Sequence, residues 1–130
     1  MLYSLDTNAV IALMSGRPPQ IRERVRGLAP DEAGMSSIVL HELVWGACNS
    51  ARVDQNLERI RRLHLPLIEF GGEDAHAAGR IRAELRRKGT PIGPYDLLIA
   101  GQALARGLTV VTANLREYAR VEGLEVEDWS

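Results

Sequence analysis

The chain has 130 residues and a single cysteine, Cys48, so it can form no internal disulfide. This predicts a reducing, cytoplasmic setting. No stretch approaches the ~18 uninterrupted apolar residues of a membrane-spanning helix, and residues 1–4 lack the basic and apolar segments of a signal peptide. We therefore expect a cytoplasmic protein with no membrane association, and the length predicts one domain over residues 1–130.

Lysine is almost absent, because among 16 basic residues only Lys88 is not arginine. With 17 acidic residues the formal net charge is −1, so the overall charge gives no indication of a nucleic-acid partner. The distribution of charge is more informative. Arginines cluster at residues 22–26, 59–62 and 80–88, whereas residues 122–128 are acidic.

Short apolar runs alternate with segments of helical periodicity. Strands are predicted at residues 2–5, 33–36, 65–70, 108–112 and 124–128. Helices are predicted at residues 7–15, 19–28, 37–48, 51–64, 73–88, 94–107 and 115–119, with Ser37 capping the third. The alternation predicts an α/β fold with a mostly parallel sheet, and continuous apolar strands favour a sheet that helices cover on both faces.

Three carboxylates need an explanation. Asp6 follows the first predicted strand and could simply cap the next helix. Glu42 lies in a helix that is apolar nearly all round, so its burial would demand a cation or a hydrogen-bond donor. Asp96 is third in its helix, where an acid interacts favourably with the helix dipole. Each position has a local explanation as well as a chemical one.

Polar residues also follow the predicted strand at 108–112. Thr112 ends the strand, and residues 114–117 resemble a capping box, in which Asn114 caps the helix and Glu117 reaches back. A role in a ligand site stays open beside this capping role.

The positions of these residues predict a common site. Helices that follow parallel strands begin at the carboxyl edge of the sheet, where open α/β sheets bind ligands. Asp6, Asp96 and Asn114 lie at strand ends or helix starts, and Glu42 lies one to two turns inside its helix. Carboxylates in one pocket repel each other unless a cation joins them. With oxygen ligands and no set of cysteines and histidines, the predicted ion is Mg²⁺ or Mn²⁺.

Four segments, taken in order, resemble the PIN-domain nucleases, and more closely the VapC-type toxins of bacterial toxin–antitoxin pairs: LDTNAVIAL, SSIVLHELVWGA, IGPYDLLIAGQAL and LTVVTANLREYARVEGLEVEDW. The resemblance covers nearly the whole chain. It implies a three-layer α/β/α PIN-like fold with four to five short strands. It also implies a Mg²⁺- or Mn²⁺-dependent endoribonuclease that forms a homodimer and has a cognate antitoxin.

The same resemblance implies roles for individual residues. Many members of the family have an acid at the fourth site position, where this chain has Asn114, so Glu117 is an alternative contributor. The implied catalytic metal ligands are Asp6, Glu42, Asp96 and Asn114, and the implied supporting residues are Thr7, Asn8, Thr112 and Glu117.

An acidic site repels RNA, so phosphates require arginines around it. The leading RNA-binding candidates are Arg80, Arg82, Arg86, Arg87 and Lys88, and residues 17–26 are a second group. A solvated helix face would explain either cluster equally well.

Other α/β classes require features that this chain lacks. A haloacid dehalogenase-type enzyme needs a second Asp where Asn8 stands. A receiver domain needs an acidic pair after the first strand and a lysine after a late strand, and a dinucleotide-binding fold needs a glycine-rich turn after the first strand. The alternative that stays open is a PIN-like module that binds RNA or a partner without cutting, because Asn114 replaces an acid.

Overall fold

The computed structural model describes all 130 residues, with five strands and seven helices. The strands are β1 (Tyr3–Leu5), β2 (Ala33–Ser36), β3 (Leu67–Ile68), β4 (Thr109–Val111) and β5 (Val126–Glu127). The helices are α1 (Thr7–Ser15), α2 (Pro19–Arg26), α3 (Ser37–Cys48), α4 (Val53–Arg61), α5 (Gly72–Arg87), α6 (Pro94–Arg106) and α7 (Leu115–Tyr118).

The strands form one sheet in the order β3-β2-β1-β4-β5, and every neighbouring pair is parallel. From β1 the chain proceeds to β2 and β3 on one side, and it then returns to β4 and β5 on the other. Because parallel crossovers are right-handed, the two directions place helices on opposite faces of the sheet. The topology also creates a switch point between β1 and β4, at whose carboxyl end a ligand crevice is expected.

The core lies between the sheet and its two helical layers. Leu5 and Val110 on the central strands are fully buried, as are Val10, Val39 and Ile99 on the helices that cover them. None of the seven helices has the length and apolar composition that a membrane-spanning helix requires.

The parallel α/β architecture predicted from the sequence is confirmed, and several boundaries need correction. The cap of α3 is Ser36, whose hydroxyl accepts a hydrogen bond from the N–H of Ile38, and not Ser37. Helix α4 is shorter than its apolar periodicity predicted. Its flanking residues are Arg52, which makes no side-chain capping hydrogen bond, and Arg62. Sequence periodicity locates a helix better than its ends.

Helices α5 and α6 pack unusually closely. A methyl group added at Gly101 would lie 2.6 Å from the side chain of Ala78, so only glycine permits this approach. Asp74, 1% exposed, binds the guanidinium of Arg106 at 2.9 Å and accepts further hydrogen bonds from Gln102 and from the N–H of Gly71. Burial raises the pKa of the Asp74 carboxyl, but the hydrogen bonds from Arg106, Gly71 and Gln102 outweigh it and hold this pKa below its usual value.

Candidate active site

Asp6 lies at the carboxyl end of β1, at the switch point. Its N–H donates to the carbonyl of Val111 on β4, and its Oδ1 accepts from the N–H of Ala9 at 2.9 Å, so it caps α1. Burial raises the pKa of the Asp6 carboxyl, and the charges of Glu42 and Asp128 raise it further. The capping role predicted from the sequence is therefore confirmed, and it leaves the carboxylate close to other acids.

Glu42 faces the same edge from α3 and is partly buried. Its Oε1 accepts a hydrogen bond of 2.7 Å from the hydroxyl of Thr7, the first residue of α1. Among the site carboxylates, Thr7 therefore supports Glu42. Asn8 is exposed, and its side chain donates no hydrogen bond to the Asp6 carboxylate.

Asp96 enters the site from the first turn of α6 and is partly buried. Its Oδ1 accepts a hydrogen bond of 3.0 Å from the hydroxyl of Tyr118, whose ring is fully buried. Burial raises the pKa of the Asp96 carboxyl to about 6, with further contributions from the charges of Glu117, Asp6 and Glu42. Burial and the charge of Asp96 also raise the pKa of Tyr118, so its phenol remains a donor.

The capping box predicted at residues 114–117 is wrong. Asn114 does precede α7, but its side chain makes no capping hydrogen bond. Its Nδ2 donates to Oε2 of Glu117 instead, and Oε1 of Glu117 accepts from the N–H of Gly93, just before α6. Glu117 thus joins α7 to the start of α6, a contact between segments far apart in sequence that no local motif encodes. Thr112 is buried, and its hydroxyl accepts from the N–H of Asn114 at 2.9 Å.

These side chains form a region of negative charge at one edge of the sheet. No ion pair of the molecule involves Asp6, Glu42, Asp96 or Glu117. A Cβ added at Gly93 would lie 3.3 Å from Oδ2 of Asp96 and 3.4 Å from Oε1 of Glu117, so these two oxygens border the same small space. The donors are all oxygens, and no cationic side chain neutralises them, which fits a hard divalent cation.

The acidic side chains are near one another without forming a tight cage. No group of three or more His, Cys, Asp or Glu side chains is close enough to hold a metal ion as it stands. Binding would therefore require the carboxylates to move toward the ion.

The basic residues predicted to bind RNA do not share one surface. Arg82 and Arg86 line a cavity of about 560 Å³ with Ile92 and Pro94, next to the first turn of α6. Arg80 lines a different cavity with Arg120 and Glu122. Lys88 pairs with Glu84 at 3.0 Å, and Arg87 is exposed.

In the second basic group, at residues 17–26, two of the four arginine side chains are engaged in the fold. Arg22 donates to the carbonyls of Leu13 and Met14 at the end of α1. Arg24 stacks over the ring of Trp129 and pairs with Glu127.

Sequence reasoning missed Tyr118, Gly93 and Asp128. Tyr118 resembles an ordinary core aromatic, and its hydroxyl meets Asp96 across 22 residues of sequence. Gly93 resembles a loop residue before Pro94. Asp128 lies in an acidic terminal stretch, and only its place beyond β5 brings its charge to Asp6.

Comparison with known proteins gives a consistent result. The family model described as PIN domain matches residues 3–124. A Salmonella typhimurium protein named tRNA(fMet)-specific endonuclease VapC is 45% identical over 129 residues, covering 98% of this chain and 97% of the relative. A Shigella flexneri protein of the same name is 42% identical over 130 residues, covering 98% of each. The crystal structure of DNA-bound VapBC from Salmonella typhimurium matches with a TM-score of 0.94 at 45% identity, covering 100% of both chains.

Proposed function

The chain belongs to the PIN domain family, and we propose that it is an endoribonuclease, the toxin of a VapC-type toxin–antitoxin pair. It is an RNA-cleaving hydrolase whose single domain spans the whole chain. The observation that carries this proposal is the group of carboxylates without a basic partner at the switch point between β1 and β4.

Asp6, Glu42 and Asp96 would hold a divalent cation, which we propose is Mg²⁺, with Mn²⁺ as a substitute. Asn114 would contribute from the fourth position. Glu117, whose two oxygens already accept hydrogen bonds, supports Asn114 and Gly93. The chemistry that an ion supplies at such a site is the activation of water and the offset of negative charge on the scissile phosphate.

The protein's own groups prepare the reaction. The backbone of α1 fixes Asp6 through the bond from Ala9, and Thr7 orients Glu42. Because these donors are part of the folded chain, they limit the orientations of the carboxylates before the substrate arrives.

RNA needs positive charge beside this acidic edge. Arg82 and Arg86 are our candidates for phosphate binding, because their cavity adjoins Pro94, two residues from Asp96. Lys88, which pairs with Glu84, and Arg80, which lines a different cavity, are less suitable.

The antitoxin partner would be an apolar segment that carries an Arg or Lys. A cavity of about 300 Å³ between α1, α3 and α4 is lined by Ile11, Met14, Leu43 and Ile60, and Glu42 borders it. A helix laid there would bring a cationic side chain to the acidic edge, which blocks the site by charge complementarity. We also propose a homodimer, as the family resemblance implies, and a cytoplasmic location.

The test is cleavage of RNA by the purified chain in millimolar Mg²⁺ or Mn²⁺ and in chelator. The first substrate to use is tRNA(fMet), for which the two relatives are named. We expect cleavage that requires the ion and is lost in Asp6→Asn. Asp54→Asn is the matched control, because Asp54 is an exposed acid in the first turn of α4, away from the site.

Two results would contradict the proposal. Equal cleavage by Asp6→Asn would remove the acidic edge from the reaction. Tight RNA binding with no cleavage of any RNA in either ion would favour the non-cleaving module, which the neutral Asn114 at the fourth position keeps as the second candidate function.

A further inference from the structure

Tyr118 connects the core to the acidic edge. Its ring is fully buried in the hydrophobic core at the end of α7, a helix of only four residues. Its hydroxyl extends beyond the apolar core and donates a hydrogen bond of 3.0 Å to Oδ1 of Asp96. A tyrosine with a packed ring and a single hydrogen bond is held more firmly than an exposed polar side chain, because packing restricts the rotamers of the ring.

The hydrogen bond makes the two oxygens of Asp96 unequal. Oδ1 is engaged with the phenol. Oδ2 accepts no hydrogen bond from the protein, and it borders the space beside Gly93, into which Oε1 of Glu117 also points. A carboxylate that is held at one oxygen has its other oxygen set in direction.

We propose that Tyr118 is a positioning residue, which holds the Asp96 carboxylate so that Oδ2 faces the cation site. This inference rests on the proposed function, since it concerns the same site. Tyr118 does not touch the ion or the RNA and acts through Asp96 alone.

The neighbouring Glu117 contact strengthens the argument. Glu117 accepts from the N–H of Gly93, so two successive residues of α7 grip the start of α6 at two points. Glu117 fixes the backbone from which α6 begins, and Tyr118 fixes the side chain of Asp96, the third residue of that helix. Loss of an outer hydrogen bond to a metal-ligating carboxylate typically lowers metal affinity by ~10–100-fold.

The experiment is a calorimetric titration of Mn²⁺ into the parent and into Tyr118→Phe, which removes the hydroxyl and keeps the ring. We expect the variant to bind Mn²⁺ about tenfold more weakly. Its cleavage should recover to within a few-fold of the parent at saturating Mn²⁺, because the carboxylates themselves are unchanged. Titration at 10 °C, with near-ultraviolet circular dichroism of each protein, ensures that even a destabilised variant is folded.

Tyr95→Phe is the matched control. Tyr95 precedes Asp96 on α6, but it is 44% exposed, and its ring lies against His41. Its variant should bind Mn²⁺ like the parent. A double variant, Asp96→Asn with Tyr118→Phe, should bind no more weakly than Asp96→Asn alone.

The possible outcomes distinguish failure of the proposed metal site from failure of the positioning role of Tyr118. If the parent binds no Mn²⁺, the proposed metal site fails, and this inference fails with it. If the parent binds Mn²⁺ and folded Tyr118→Phe binds it equally or more tightly, only the positioning role is overturned, and Tyr118 is a core residue with a satisfied hydroxyl.

Discussion

Neutralising Asp96 should stabilise the protein while it abolishes cleavage. The rise of the Asp96 pKa from 3.8 to about 6 corresponds to ~3 kcal/mol of unfavourable free energy for the charged carboxylate in the folded state, at 1.36 kcal/mol per unit. Asp96 is only partly buried, so water screens this cost, and ~1–2 kcal/mol is the value we use. Asp96→Asn also loses ~0.5 kcal/mol of interaction with the α6 dipole. The expected net gain at pH 7 is ~1 kcal/mol, or roughly 4 °C in melting temperature.

The stability that Asp96→Asn gains over the parent should increase with pH. Between pH 3.8 and about 6, the folded state binds more protons at Asp96 than the unfolded state does. The parent therefore loses stability from this group as pH rises through that window, and the loss is complete above it. Asp96→Asn has no such loss, so its advantage should be present at pH 7 and should disappear near pH 4.

The assay is thermal unfolding of parent and variant at pH 4, 5.5 and 7 in chelator, and at pH 7 in millimolar Mn²⁺. An ion at 100 times its dissociation constant stabilises a folded protein by ~2.7 kcal/mol, so Mn²⁺ should reverse the order of stability. Asp54→Asn controls for the loss of an acid in the first turn of a helix, and it should not gain stability at any pH.

A lower stability of Asp96→Asn than of the parent at pH 7 in chelator would contradict this prediction. A gain that is the same at pH 4 and pH 7 would also refute it, because the carboxylate would then not be the source. Absence of any Mn²⁺-dependent shift in the parent would remove the cation from the site.

Three further predictions concern other parts of the molecule. Gly93→Ala places a methyl group 3.3 Å from Oδ2 of Asp96, so this oxygen must shift by a few tenths of an ångström, and calorimetry should show weaker Mn²⁺ binding with little change in melting temperature. Arg86→Ala should weaken RNA binding and reduce its salt slope by ~1 in fluorescence anisotropy, whereas Lys88→Ala, which loses a residue already paired, should change neither. Asp74→Ala should lower the free energy of unfolding in urea by ~2–3 kcal/mol; because the Asp74 pKa is lowered, this difference should be full above pH ~4 and shrink in more acidic solution.

The sequence predicts the acidic edge well for a topological reason. Once strands and helices alternate, the residue after β1 and the first turn of α6 must lie at the carboxyl edge of a parallel sheet. Asp6 and Asp96 could therefore be placed together without knowledge of any contact between them.

The contacts that join distant segments could not be predicted in the same way. Residues 114–117 satisfy a local capping pattern, yet Glu117 bonds to Gly93 because folding brings α7 beside the start of α6. Tyr118 has the sequence context of a core residue, and its ring does lie in the core. Its hydrogen bond to Asp96 is evident only from the position of the hydroxyl in the structure. Local propensity gives the elements, while tertiary packing decides between hydrogen-bond partners that are locally equivalent.

The close packing of Gly101 on Ala78 has a consequence for how RNA would be read. Because Gly101 leaves no room for even a methyl group, α5 and α6 lie in direct contact there, and such close packing opposes sliding of one helix on the other. The helix that carries Arg82 and Arg86 and the helix that carries Asp96 would then move together. The number of nucleotides between a phosphate bound by the arginines and the scissile phosphodiester bond at the carboxylates would then be constant. The cleavage position would therefore be set by the distance between the arginines and the carboxylates, which the two packed helices keep constant.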